Sequence, residues 1–102
     1  MVAIELFRFV STVNDLGLAD LSLSFVRNKE QQEVDFLITE RNAPVLLVEA
    51  KLSEDHPSAA LVKFQKQLSV PAVQLTDGGE THRRIGDDIL IAPAHQWLAR
   101  LP

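Results

Sequence analysis

The chain contains no cysteine. This excludes a disulfide framework and any thiolate-ligated metal site. Long apolar runs are also missing, and the longest falls far short of the about 20 residues a helix needs to span a bilayer. No basic segment followed by an apolar stretch opens the chain, so no secretory leader is expected and the expected location is the cytoplasm, with no membrane partner. Positive charge is in deficit: 10 Lys and Arg stand against 14 Asp and Glu, a formal net charge of −4. Such a balance gives no general attraction to polyanions and counts against strong free-standing DNA binding, though it leaves a local site open. Histidine is sparse. His56, His82 and His95 share no metal-ligand spacing, and each reads as a surface or loop residue.

What the chain does have is enough apolar character for a core. At 102 residues and 46% apolar composition it reads as one domain, 1–102, with a modest interior. Its organising stretch is Glu33 to Lys51, EVDFLITERNAPVLLVEAK. Two apolar runs, Val34–Ile38 and Val45–Val48, flank a polar break, and both suit the middle of a covered sheet. Each carries an acid that a buried strand does not ordinarily tolerate, Asp35 and Glu49. Strand side chains alternate, so Lys51 shares a side with Glu49. A three-residue hairpin loop at Arg41-Asn42-Ala43 sets Glu40 opposite Pro44 and Asp35 opposite Glu49. Opposed carboxylates repel, so this register calls for a positive group between them: Lys51 or a divalent cation.

Around this stretch the periodicity predicts an α/β order. Val2, Leu6, Phe9, Val10 and Val13 make a helical stripe that Gly17 stops. The pattern begins with no cap residue before it, as expected of a domain cut from a larger protein as much as of a complete product. Leu21, Leu23 and Phe25 alternate as a strand, and Lys29 to Gln32 form a polar turn. After the two central strands, Ser53 to His56 form a loop of candidate caps, with Pro57 suited to a first helical position. Ala60, Leu61, Phe64 and Leu68 mark a helix ending before Pro71, and Ala72 to Leu75 a short buried strand. Thr76 to Asp88 reads as loop, with Asp77-Gly78-Gly79 as its turn signal; the glycines lack the lysine of a phosphate-binding loop. Ile89 to Ala92 reads as a last strand and Pro93 to Leu101 as a terminal helix, where Trp97 belongs to the core.

Several short stretches together resemble a known family. Asp35 followed on the next strand by Glu49-Ala50-Lys51 resembles the PD-(D/E)xK nuclease superfamily. Asn14-Asp15-Leu16-Gly17, Glu33-Val34-Asp35-Phe36, Val48-Glu49-Ala50-Lys51-Leu52, Phe64-Gln65 and Pro71-Ala72-Val73-Gln74 resemble the nuclease-like domain that follows archaeal-type AAA-family ATPase modules. The resemblance implies a restriction-endonuclease-like αβββαβ core with a mixed central sheet flanked by helices. It implies Asp35 and Glu49 as ligands of Mg²⁺ or Mn²⁺, helped by the Ala50 carbonyl, with Lys51 positioning the attacking water. It also implies nucleic acid, DNA before RNA, as substrate, and an ATPase module in the parent protein.

Secondary candidates keep two readings each. Glu5 is a further acid in some superfamily members or the partner of Arg8. Lys63, Gln65 and Gln67 are all candidates for a group near a scissile phosphate. Glu33 is an outer-shell group or a solvated strand start. His82-Arg83-Arg84 is a phosphate contact or a solvated loop. Two function classes stand side by side. One is a metal-dependent nuclease built on Asp35, Glu49 and Lys51. The other is a non-catalytic binding or assembly module of the same fold attached to an ATPase. Exposed sheet edges would also allow a homodimer.

Overall fold

The structure, a computed structural model, describes residues 2–27, 29, 32–51, 56–77, 82–86 and 88–101. Helix α1 (Val2–Asp15) buries Leu6, Val10 and Val13, one stripe at helical spacing. Its end is a Schellman motif: the Leu18 N–H reaches the Val13 carbonyl at 3.1 Å and the Gly17 N–H the Asn14 carbonyl at 3.0 Å. Gly17 has φ +73°, the left-handed conformation that this turn requires. The Asn14 side chain then clamps the next strand. Its amide donates to the Leu21 carbonyl at 2.8 Å, and its oxygen accepts the Leu21 N–H at 2.7 Å.

Six strands form one mixed sheet in the order β1-β2-β3-β4-β6-β5. Strands β1 (Leu21–Arg27), β2 (Glu33–Glu40) and β3 (Ala43–Ala50) are antiparallel neighbours. Helix α2 (Ala59–Leu68) carries the chain to β4 (Ala72–Thr76), parallel to β3. Strand β6 (Ile89–Pro93) lies parallel to β4, with β5 (Arg83–Ile85) antiparallel on its outer side, and α3 (Ala94–Ala99) follows. The first six elements thus come in the αβββαβ order expected. Helix α2 covers one face through Leu61 and Phe64, packed with Val34, Leu47 and Ala72. Helices α1 and α3 cover the other through Leu6, Trp97 and Leu98, packed with Ile38, Val48, Val73 and Leu75. Among the described residues no helix is long and apolar enough to cross a membrane.

Four details depart from expectation. The β2–β3 loop has two residues, not three: Ala43 pairs with Glu40, and Arg41 and Asn42 take φ +50° and +70°. Positive φ at both central residues is what a tight hairpin needs to match strand twist. Pro57 lies before the helix cap, because Ser58 is the residue whose hydroxyl accepts the Leu61 N–H. Arg83–Ile85, read as loop, is an edge strand, too short and too exposed to show alternation. Pro93 ends β6 and caps α3 rather than opening the helix interior. Leu52, the caps at Ser53 to Asp55, the Gly78-Gly79 turn, and Glu30 and Gln31 of the expected polar turn lie outside the described residues.

Candidate functional site

Two irregularities set the geometry of β2 and β3. Between Ile38↔Leu46 and Thr39↔Pro44 the ladder advances one residue on β2 and two on β3, leaving Val45 as the extra residue. That bulge compensates for the shorter loop, so Phe36 faces Val48, as the expected register requires, and the ladder ends there. Asp35 and Glu49 are the next residue on each strand. On its other side β2 carries its own bulge. Ser24↔Leu37 is followed by Val26↔Val34, two steps on β1 against three on β2, so Asp35 and Phe36 together oppose Phe25. Bulges re-aim side chains, and here the Asp35 carboxylate accepts the Ala50 N–H of β3 at 3.0 Å. The side chain takes the place of a ladder bond where the two strands part.

Glu49 points to the α2 side of the sheet, the side of Leu47. It is 7% exposed, and its carboxylate accepts a hydrogen bond from the Ser58 hydroxyl. Ser58 therefore serves two groups: it caps α2 through the Leu61 N–H at 3.0 Å and holds Glu49. Its own N–H donates to the side-chain oxygen of Gln74 at 2.9 Å, while the Gln74 amide donates to the His56 carbonyl at 3.0 Å. Gln74 is fully buried and pairs with Glu49 in the parallel β3–β4 register. Buried polar groups must be satisfied, and this network satisfies both ends of the Gln74 amide.

Burial pushes the Glu49 carboxyl above the ordinary carboxylate range. The Ser58 hydrogen bond opposes this, the Asp35 charge adds to it, the Lys51 charge counters it and Glu33 adds slightly. The charges of Asp35 and Lys51 therefore both reach Glu49, with opposite signs. Lys51 lies just past the strand, its N–H bonded to the Leu75 carbonyl at 2.9 Å. With Ala50 it lines a cleft of about 320 Å³ that Thr76 and Asp77 also border and whose apolar lining is Val2, Leu75 and Ala94, residues of the α1/α3 side.

The remaining candidates are dispersed. Glu5 lies 3.6 Å from Arg8, an exposed pair one helical turn apart. Glu33 pairs with Arg27 at 3.2 Å across β1 and β2, and Arg27 stands over the Phe25 ring. On α2, Lys63 and Gln65 are half-buried and Gln67 is exposed. The side chains that meet Glu49 are instead Ser58 and, through it, Gln74. Both left signals in the sequence: a serine directly before the Ala59-Ala60 helix start, and a lone amide in the apolar run Ala72 to Leu75. His56 and His95 are exposed, but His82 is not a plain surface residue, since its Nε2 is buried without a hydrogen-bond partner. Trp97 packs into the α1/α3-side core as expected.

The donor set suits a hard cation in its chemistry. Asp35, Glu49 and the Ala50 carbonyl offer only oxygen, the ligand type Mg²⁺ and Mn²⁺ prefer. One oxygen of each carboxylate is already engaged, Asp35 by Ala50 and Glu49 by Ser58. Among the described residues no three His, Cys, Asp or Glu side chains gather as a metal site.

No curated protein and no solved structure matches the chain. Residues 1–97 match one family, described as a domain of unknown function (DUF4143). With nearly its whole length matched and the sheet continuous from β1 through β5, the chain belongs to the DUF4143 family.

Proposed function

We propose that the carboxyl end of β3 is a divalent-cation-dependent phosphodiester site of nuclease type. One observation carries this: Asp35 and Glu49 lie at the ends of neighbouring strands, Asp35 bonded to the amide that follows Glu49, and its charge adds to the burial that raises the Glu49 carboxyl. An acid whose proton affinity is raised in this way is a functional candidate, and a cation can take the proton's place beside it. Asp35, Glu49 and the Ala50 carbonyl would hold the ion, and Ser58 fixes the Glu49 carboxylate in orientation. When bound, the ion would supply charge neutralisation for phosphate and a more acidic water. Lys51, at the cleft, would place its ammonium against a phosphate oxygen or the incoming water. The test is calorimetric titration of Mg²⁺ and Mn²⁺ into wild type and Asp35→Ala, followed by plasmid and oligonucleotide cleavage with Lys51→Ala as control. Binding that Asp35→Ala abolishes supports the site; no heat at millimolar cation rejects it.

A second reading, a non-catalytic assembly module, has its own support. Ile4 and Phe7 on α1 and Leu16 and Leu18 at its exit are exposed apolar side chains, three of them about two-thirds or more exposed. In that reading Asp35 and Glu49 are structural acids that tie β2 and α2 to β3, and the apolar face meets a partner such as an ATPase module. It predicts no cation binding and no effect of Lys51→Ala on any cleavage signal.

A further inference from the structure

We propose that the cleft at the carboxyl ends of β3 and β4 receives one unpaired nucleotide, its base on the apolar floor and its phosphate at Lys51. This deepens the phosphodiester reading, on which it rests for the placing of the phosphate. The position is the first argument. In open α/β sheets ligands bind beyond the carboxyl ends of parallel strands, and here β3 and β4 are the parallel pair whose ends open on the cleft. Size is the second. A volume of about 320 Å³ lies at the small end of ligand sites and admits one heterocycle with its sugar. A base inside a duplex is stacked on both faces and paired at its edge, so it enters only if extruded, whereas a single strand offers it already splayed.

The lining gives the third argument. Val2, Leu75 and Ala94 form an apolar floor for a ring face, and the rim carries Lys51 on β3's side and Asp77 on β4's. Lys51 suits one phosphate. Asp77 is exposed, and an ionised carboxylate only accepts hydrogen bonds. It therefore favours bases with an exocyclic amino group (adenine, cytosine, guanine) over thymine, whose single N3–H is flanked by two carbonyl oxygens that repel a carboxylate. The chain's acidic balance, −4, argues against tracking a long phosphate backbone and agrees with capture of a single nucleotide unit.

The experiment is fluorescence anisotropy at low salt in EDTA, so that cation binding does not enter. The probes are labelled oligo-dC, oligo-dT and a duplex of equal length, with free dCMP as competitor. The expected result is single strand over duplex by about tenfold or more, because extrusion must be supplied from binding. Oligo-dC is expected to exceed oligo-dT, and Asp77→Ala, an exposed substitution, to erase that preference. Ala94→Phe, which fills the cleft, is expected to weaken binding while Glu40→Gln, exposed on the β2–β3 hairpin, leaves it unchanged. Competition by dCMP at matching affinity assigns the cleft to the free nucleotide; failure to compete assigns it to a nucleotide within a strand. Equal affinity for duplex and single strand, no binding, or an oligo-dC preference that survives Asp77→Ala overturns the proposal. Cation binding with no oligonucleotide binding sinks the cleft alone. Oligonucleotide binding with no cation binding sinks the phosphodiester reading alone.

Discussion

Replacing Ser58 by alanine removes two interactions made by one hydroxyl. The first is the cap on the Leu61 N–H, and losing a serine cap costs about 1 kcal/mol. The second is the hydrogen bond to the buried Glu49 carboxylate, and hydrogen bonds to charged groups contribute about 1.5–3 kcal/mol. The two sum to about 2.5–4 kcal/mol while Glu49 is ionised. With a urea m-value of about 1–3 kcal/mol per M, the unfolding midpoint falls by at least about 1 M. The cost depends on pH with a definite sign. Glu49 holds its proton more tightly folded than unfolded, so the stability it contributes is complete below the unfolded carboxylate value and lost as pH rises through the higher folded one. The Ser58 donor is the interaction that most opposes this rise, so in Ser58→Ala the folded value climbs further and the loss extends to higher pH. Once Glu49 is neutral, the missing bond costs only the about 0.5–1.5 kcal/mol of a neutral pair. Urea unfolding of both proteins in EDTA at pH 5 and pH 8 should therefore give a larger difference at pH 8. Ser58→Thr, which keeps a hydroxyl, should stay close to wild type. A difference of the same size at both pH values, or one below about 0.5 kcal/mol throughout, would refute the double role of Ser58.

Three further outcomes follow from the geometry. Leu61→Ala empties a fully buried position between α2 and the sheet and should cost about 2–5 kcal/mol, read as a lowered thermal midpoint. Asn14→Leu breaks both bonds of the clamp on Leu21; a loss of about 1–3 kcal/mol is expected, with hydrogen exchange at the Leu21 amide accelerating ahead of the β2 and β3 core. Arg41 sits at φ +50° and Asn42 at +70°, so Arg41→Gly should be neutral or stabilising by up to about 1 kcal/mol. Asn42→Val, β-branched in the same region, should destabilise by about 1–3 kcal/mol in the same denaturation assay.

Most of the frame was legible along the chain because each element carries its own period. The stripe Leu6, Val10, Val13, the alternation of β1 from Leu21 to Ser24 and the helix from Ala60 to Leu68 are local patterns that survive folding because one face must be buried, but the bulge after Ser24 leaves Phe25 exposed and turns Val26 to the core. Gly17 marked the end of α1 because a left-handed residue ends a helix that way, whereas the Asn14 clamp on Leu21 depends on a partner outside the helix. Strand β5 was not legible: three residues at a sheet edge bury too little to impose a period. Ser58 and Gln74 were legible only as oddities, a polar residue where an apolar one would serve, without any indication of what they would touch.

What the sequence determined by itself is the order of elements and the presence of two acids and a lysine at the central hairpin. Tertiary structure alone decided how those three are arranged. A bulge in β3 keeps the Phe36–Val48 register despite a shorter loop, a second bulge lies between β1 and β2 at Asp35 and Phe36, and Asp35 bonds the Ala50 amide. Packing of α2 then sends Glu49 to Ser58, while the end of β3, still bonded to β4 through the Lys51 N–H and the Leu75 carbonyl, puts Lys51 at a cleft under α1 and α3. The reason is physical: periodicity assigns a residue to a face, but a bulge, a helix cap and a strand end each depend on partners distant in the chain, and these decide where a carboxylate points.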